Sequence, residues 1–203
     1  ITISSTGNAL DFGDLPVAVQ GVDALSDATR AVMTSGSNAS PGVTNVLSYV
    51  TIATTGNTQD FGDQQRNSSY SGTCSSSTRG ILAGGYGPAA PTISNTIEYL
   101  TIATLGNTAD FGDSMEDDYG QGAGNASNAV RSILAGANVS GGSPVNTISY
   151  FSCTTLGNSK DFGDLGTVRR GAGAVASGTR AVFAGGRTPS DVNIIDYVQI
   201  MST

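Results

Sequence analysis

Gly56-Asn57-Thr58-Gln59-Asp60-Phe61-Gly62-Asp63 is the stretch on which the reading of this chain turns. The pattern Gly-Asn-x-x-Asp-Phe-Gly-Asp recurs at Gly7–Asp14, Gly106–Asp113 and Gly157–Asp164, and successive copies lie 49, 50 and 51 residues apart. Its aromatic is Phe12, Phe61, Phe111 or Phe162. Two further segments keep the same period. One centres on Arg30, Arg79, Arg131 or Arg180 and continues as an apolar run ending in small residues, as in Gly80-Ile81-Leu82-Ala83-Gly84-Gly85. The other carries Tyr49, Tyr99, Tyr150 or Tyr197, as in Asn95-Thr96-Ile97-Glu98-Tyr99-Leu100-Thr101-Ile102. A fixed period near fifty with several short apolar runs marks a repeat architecture, in which each unit hides its apolar faces only against its neighbours.

Composition sets the class of secondary structure. Only 12% of the 203 residues are charged, 28 are Gly, and Ser, Thr and Asn fill most polar positions. The residues that build helix surfaces are scarce, while strand formers (Thr, Val, Ile, Tyr) and turn formers (Gly, Asn, Asp, Ser) abound. The chain is expected to be all-β. In Thr96–Ile102 both alternate sets, Ile97-Tyr99-Thr101 and Glu98-Leu100-Ile102, hold apolar residues, which is the pattern of a strand covered on two faces. Blades of a propeller stack face to face and cover their central strands in this way.

Four strands per unit are predicted, giving a single β-propeller domain over residues 1–203. The units run over about 15–63, 64–113, 114–164 and 165–203, with 1–14 as an overlap. In the last unit the strands are expected at Gly171–Ala176, Arg180–Ala184 and Asn193–Met201, with the Gly-Asn-x-x-Asp-Phe-Gly-Asp segment as the outer strand. Ser177-Gly178, the loop Arg187–Val192 and the Gly-Asn pair supply the turns. Ile1–Thr6 occupy the repeat positions of Val198–Thr203, so the N-terminal outer strand is expected to pair with the C-terminal third strand and close a four-bladed ring, removing exposed sheet edges. The chain opens at Ile1, partway through a repeat, and is expected to be part of a longer protein.

The order of arginine, apolar strand, Gly-Gly, variable loop, tyrosine strand and aromatic resembles a kelch repeat. Gly84-Gly85 and Gly185-Gly186 match the family's glycine pair, while Ser35-Gly36 and Gly136-Ala137 depart from it, and the fourth-strand aromatic is Phe, where the family usually has Trp. The resemblance implies a propeller of four-stranded blades. The Gly-Asn-x-x-Asp-Phe-Gly-Asp version is similar to repeats of phage virion proteins, which implies a role in a tail fibre, spike or head decoration.

Several chemistries lack their parts. His is absent, which excludes His-based nucleophile activation and His-ligated metals. The Asp-Phe-Gly triplets are repeat residues in an all-β chain and not a kinase magnesium site. Cys74 stands among serines with no base nearby, and Cys74 and Cys153 fall at different repeat positions, so they read as isolated core thiols. The aspartate pairs, such as Asp60 and Asp63, are expected to cap turn amides or pair with repeat arginines. Glu98 and Glu116 are the only glutamates, too few to suggest a glycosidase pair. No cofactor and no metal are expected.

A net charge of −7 with nine cations and no basic run speaks against nucleic-acid binding. No apolar stretch approaches the ~20 residues that cross a bilayer as a helix. The expected function is therefore a non-catalytic structural or binding module of a virion or extracellular setting. Its partners would be other virion proteins or a host surface glycan or protein, and it would form a homo-oligomer within an assembly. The alternative is a stand-alone protein- or glycan-binding propeller. Candidate contact residues lie where the units differ: Glu116, Asp117, Asp118 and Tyr119 form an acidic patch, Tyr86 opens the loop to Ser94, and Arg66 sits in the polar linker Gln64–Tyr70. A second long loop runs from Ala137 to Val145. The repeated arginines, phenylalanines and tyrosines are assigned to structure.

Overall fold

A computed structural model describes residues 6–38, 42–88, 93–118, 124–139 and 142–201, with side chains except those of 116–118 and 124. All regular structure among them is β. The first sheet holds β1 (Ala24–Ser26), β2 (Arg30–Met33), β3 (Val46–Thr51) and β4 (Gln59–Asp63). The second holds β5 (Gly72–Ser75), β6 (Arg79–Ala83), β7 (Ser94–Thr101) and β8 (Ala109–Asp118). The third holds β9 (Gly124–Ser127), β10 (Arg131–Asn138), β11 (Pro144–Ser152) and β12 (Lys160–Asp164). The fourth has β13 (Gly173–Ala176) and β14 (Arg180–Ala184), then a small hairpin, β15 (Arg187–Thr188) and β16 (Ser190–Asp191), then β17 (Ile195–Gln199). Each sheet is an antiparallel meander in sequence order, an arrangement consistent with successive propeller blades.

Short polar side chains shape the first turn of every sheet. Asp27, Ser76, Asn128 and Ser177 each stand three residues before the repeat arginine. Their side-chain oxygens accept the arginine's backbone N–H at 2.7, 3.1, 2.8 and 3.1 Å. This is the local Asx or Ser turn that makes such residues favourable between strands.

The core lies between sheets. One cluster joins Leu25, Val32, Leu47 and Phe61 of the first sheet to Leu82, Leu100 and Ile102 of the second unit. A second joins Ile81, Ile97 and Phe111 to Leu134, Phe151 and Cys153. A third joins Ala126, Ile133 and Ile148 to Ala181, Phe183 and Ile200. A sheet with apolar residues on both faces can bury them only by stacking, which is why the two-faced strand pattern and the repeat go together.

Several expectations are corrected. Only the second half of the Gly-Asn-x-x-Asp-Phe-Gly-Asp segment is strand, because Gly-Asn turns away toward the neighbouring unit. The loop expected over Ala137–Val145 is largely a hairpin extension, with β10 reaching Asn138 and β11 starting at Pro144. The polar linker Gln64–Tyr70 is partly packed inside: Gln64, Ser68 and Ser69 are buried, and the Ser35 hydroxyl donates to the Gln64 side-chain carbonyl. Ring closure is not observed. Among the described residues the Gly7–Asp14 segment forms no strand and β17 carries no fourth strand. Replacing Phe111, buried between Tyr99 and Phe151, by Ala is expected to destabilise the chain by about 3–5 kcal/mol, read from the denaturant midpoint.

Candidate functional site: the latch between units

A β-bulge at three of the four motif phenylalanines starts the site. In the first sheet Leu47 pairs with Gly62 and Ser48 with Asp60, leaving Phe61 as the extra residue. Phe111 and Phe162 are bulged in the same way in the second and third sheets. The bulge turns the ring into the core and leaves the carbonyls of the outer strand facing the next unit.

Those carbonyls are taken by the following copy of the motif. Gly56, Gly106 and Gly157 donate their N–H to the carbonyls of Phe12, Phe61 and Phe111 at 2.7, 2.8 and 2.9 Å. Two residues on, Thr58, Thr108 and Ser159 donate to the carbonyls of Asp14, Asp63 and Asp113 at 3.0, 2.9 and 2.8 Å. Donors and acceptors advance together, so the two segments run parallel. Where a parallel ladder would use a backbone carbonyl, the motif asparagine substitutes: Oδ1 of Asn57, Asn107 and Asn158 accepts the N–H of Asp14, Asp63 and Asp113 at 3.0, 3.0 and 3.1 Å. The second motif glycine fits the same contact. Gly62 has φ +142°, and a Cβ there would overlap the carbonyl of Gly106. Gly, Asn, Phe and Asp are thus all explained by one unit-to-unit latch.

The repeat arginines and aromatics form a second tie. Arg30, Arg79, Arg131 and Arg180 lie over Tyr49, Tyr99, Tyr150 and Tyr197 at 4.6, 4.8, 4.4 and 4.5 Å from the ring centroids. Tyr49, Tyr99 and Tyr150 in turn meet Phe61, Phe111 and Phe162 edge to face. Nη1 of Arg30, Arg79 and Arg131 then donates to a carbonyl of the next unit: Ile102, Thr154 and Ile200, at 2.7, 3.1 and 2.8 Å. The guanidinium is used as a cation over a ring and as a carbonyl donor. Among the described residues no ion pair joins a repeat arginine to a motif aspartate. Asp11 and Asp161 instead accept the N–H of Gly13 and Gly163 in their own turns, at 3.2 and 3.1 Å.

Some of the candidate contact residues lie within the described residues. Tyr86 bridges Ser69 and Ile93, and Arg66 lies over Gly87, where a methyl group would come within 2.8 Å of Nη2. Glu116–Asp118 extend β8, with Asp118 opposite Ser94, and their side chains fall outside the described residues, as does all of Tyr119. Clefts flank the latch. Two of about 180 and 120 Å³ sit at equivalent places, beside Tyr150 and Tyr49, each against its Gly-Asn turn. An open one of about 490 Å³ lies among Arg170, Arg187 and Asp191.

Three features escaped sequence reasoning. Glu98 is buried; its Oε2 accepts from Thr108 Oγ1 at 2.6 Å and from the Gln65 N–H at 3.2 Å, tying latch to linker. Burial pushes its carboxyl up, and the Thr108 hydroxyl partly offsets this. The signal was available, because the residue before each repeat tyrosine is polar: Ser48, Glu98, Ser149 and Asp196. Arg169 is fully buried and pairs with Asp196 at 2.9 Å, and no repeat counterpart announced it. Cys74 and Cys153 are free and buried but not isolated. They share a hydrogen bond that, with burial, pushes the Cys74 thiol up. They occupy the positions filled by Leu25 and Ile102, or Ala126 and Ile200, at the other two junctions, so the offset between units brings them together.

Asn107→Ala removes one latch acceptor and is expected to cost about 1 kcal/mol, measured by urea denaturation. Asp23, where the other inner strands have Gly72, Gly124 and Gly173, is lifted by burial to about 6. A carboxyl raised on folding contributes stability that is full below its unfolded value near 4 and lost as pH rises through about 6. Asp23→Asn is therefore expected to raise Tm by a few degrees at pH 8 and leave it unchanged at pH 3. Compared with known proteins, the chain matches no protein-family model and no curated sequence.

Proposed function

We propose that the chain is a non-catalytic structural module, a run of kelch-like propeller blades in a phage virion component such as a tail fibre, spike or head decoration, acting through surface contacts. The observation that carries the reading is the use made of the repeated polar residues. Three arginines and three motif asparagines hydrogen-bond across unit junctions. A catalyst keeps such groups converged on a substrate-sized cleft. Here they face backbone, and the two clefts beside the repeat tyrosines hold only about 180 and 120 Å³.

Gly84-Gly85 and Gly185-Gly186 support the kelch reading, since they directly follow β6 and β14 with φ of +65°, +109°, +68° and +104°. A surface of Ser, Thr, Asn and Gly with few charges suits a particle component, where many copies pack side by side. Its contacts would be with neighbouring virion proteins or a host glycan or protein.

Mass spectrometry of purified virus particles is expected to find peptides of this chain in fixed ratio to the major structural proteins, with density of its size in a particle reconstruction. Recovery solely as free protein, with a hit on a glycan array, would instead place it as a stand-alone binding propeller.

A further inference from the structure

The chain has two cysteines, and the fold brings them together. At each described junction the core holds a residue of one unit's inner strand with the residue just past the third strand of the next. Leu25 is placed with Ile102, Cys74 with Cys153, and Ala126 with Ile200. Only the middle junction carries sulfur on both sides, and there the two thiols share a hydrogen bond. Their surroundings differ as well. Ser132 stands where the other units have Ala31, Gly80 and Ala181. Its hydroxyl is fully buried beside the Cys74 sulfur and has no other hydrogen-bond partner among the described residues. A thiol serving only as a small apolar filler needs no such neighbour. On the other side, Arg79 Nη1 donates to the Cys153 carbonyl at 3.3 Å and carries its charge close to that sulfur.

We infer that Cys74 and Cys153 are a redox site, at which a peroxide closes the two thiols to a disulfide that staples the second unit to the third. In the first step the Cys153 thiolate attacks one oxygen of hydrogen peroxide. The O–O bond breaks, the sulfur becomes a sulfenic acid, and the other oxygen leaves as water. Cys74 then attacks that sulfur. The S–S bond forms, the S–O bond breaks, and a second water carries off the Cys74 proton. Two thiols are oxidised and one peroxide is reduced to two waters. Cys153 suits the first step. The hydrogen bond from Cys74 and the charge of Arg79 hold its thiol below the usual range, with burial opposing them. The same hydrogen bond and burial push the Cys74 thiol up, so it stays protonated until the second step.

Burial selects the oxidant and the product. Cys74 is 8% exposed and Cys153 1%. A molecule little larger than water reaches such sulfurs through small openings of the junction, whereas a thiol of another protein does not. The disulfide therefore forms within one chain. It joins residues far apart in sequence, which removes conformational freedom from the unfolded chain, and a dithiol reductant reopens it by exchange. The latch and the apolar core set the geometry of the junction, and the staple locks it. The inference concerns the purified chain and does not rest on the virion reading.

The test treats the purified chain with a small excess of hydrogen peroxide, then denatures it and alkylates any remaining thiol. The expected result is an intact mass lower by two hydrogen atoms, no alkylation, and one peptide pair joining Cys74 to Cys153 until reduction. Tm is expected to rise by roughly 5–15 °C and to return when dithiothreitol is added. Cys74→Ala gives the second unit the residue that the third has in Ala126. It is expected to unfold cooperatively before treatment and to show no rise in Tm after it. Thiols that remain open to alkylation, oxygen adducts without a joined peptide pair, or disulfides found only between chains would overturn the inference. So would an equal rise in Tm in Cys74→Ala.

Discussion

Everything in this molecule depends on the contact between one repeat and the next. A sheet of three or four short strands is not stable alone, and here both of its faces are apolar. Stacking hides those faces, but stacking alone would allow units to slide. The latch fixes the register. Phe61 and Asp63 offer carbonyls, Gly106 and Thr108 offer N–H groups, and Asn107 returns an acceptor to Asp63. Backbone groups at a sheet edge have to be satisfied, and the edge that would otherwise be a liability becomes the device that sets the spacing of the units.

The same contact explains the odd composition. Glycine is needed where two backbones meet, as at Gly62 against Gly106. Asparagine is needed as a carbonyl substitute, and Phe as the bulged residue that seals the core while its carbonyl faces out. Arginine serves as a long reach between units, stacked on tyrosine so that its charge remains balanced in a poorly charged surface. None of these roles needs a carboxylate–histidine or thiol centre.

The units also differ in single ionisable residues. Asp23 replaces glycine on one inner strand; Glu98 replaces a serine and draws Thr108 and Gln65 together; Arg169 enters the core beside Asp196. Glu98 and Arg169 are buried and Asp23 is half-buried, and such groups are costly unless partnered. Glu98 and Arg169 have partners from a neighbouring segment, whereas Asp23 is held by burial with its carboxyl raised.

The amino-acid sequence by itself determined the all-β class, the period, and the four-stranded plan that three of the sheets show, because period-two patterning, turn residues and repetition are local properties of the chain. It pointed to Arg, Tyr, Phe and Asp as structural, but not to the asparagine, whose hydrogen bond spans about 44 residues. Only the tertiary structure decided which motif copy holds which. It also decided that Cys74 meets Cys153, that the polar linker is partly packed inside, and that the two ends of the array do not meet. Those outcomes depend on the rotation between successive sheets, a sum of small twists that no single repeat encodes.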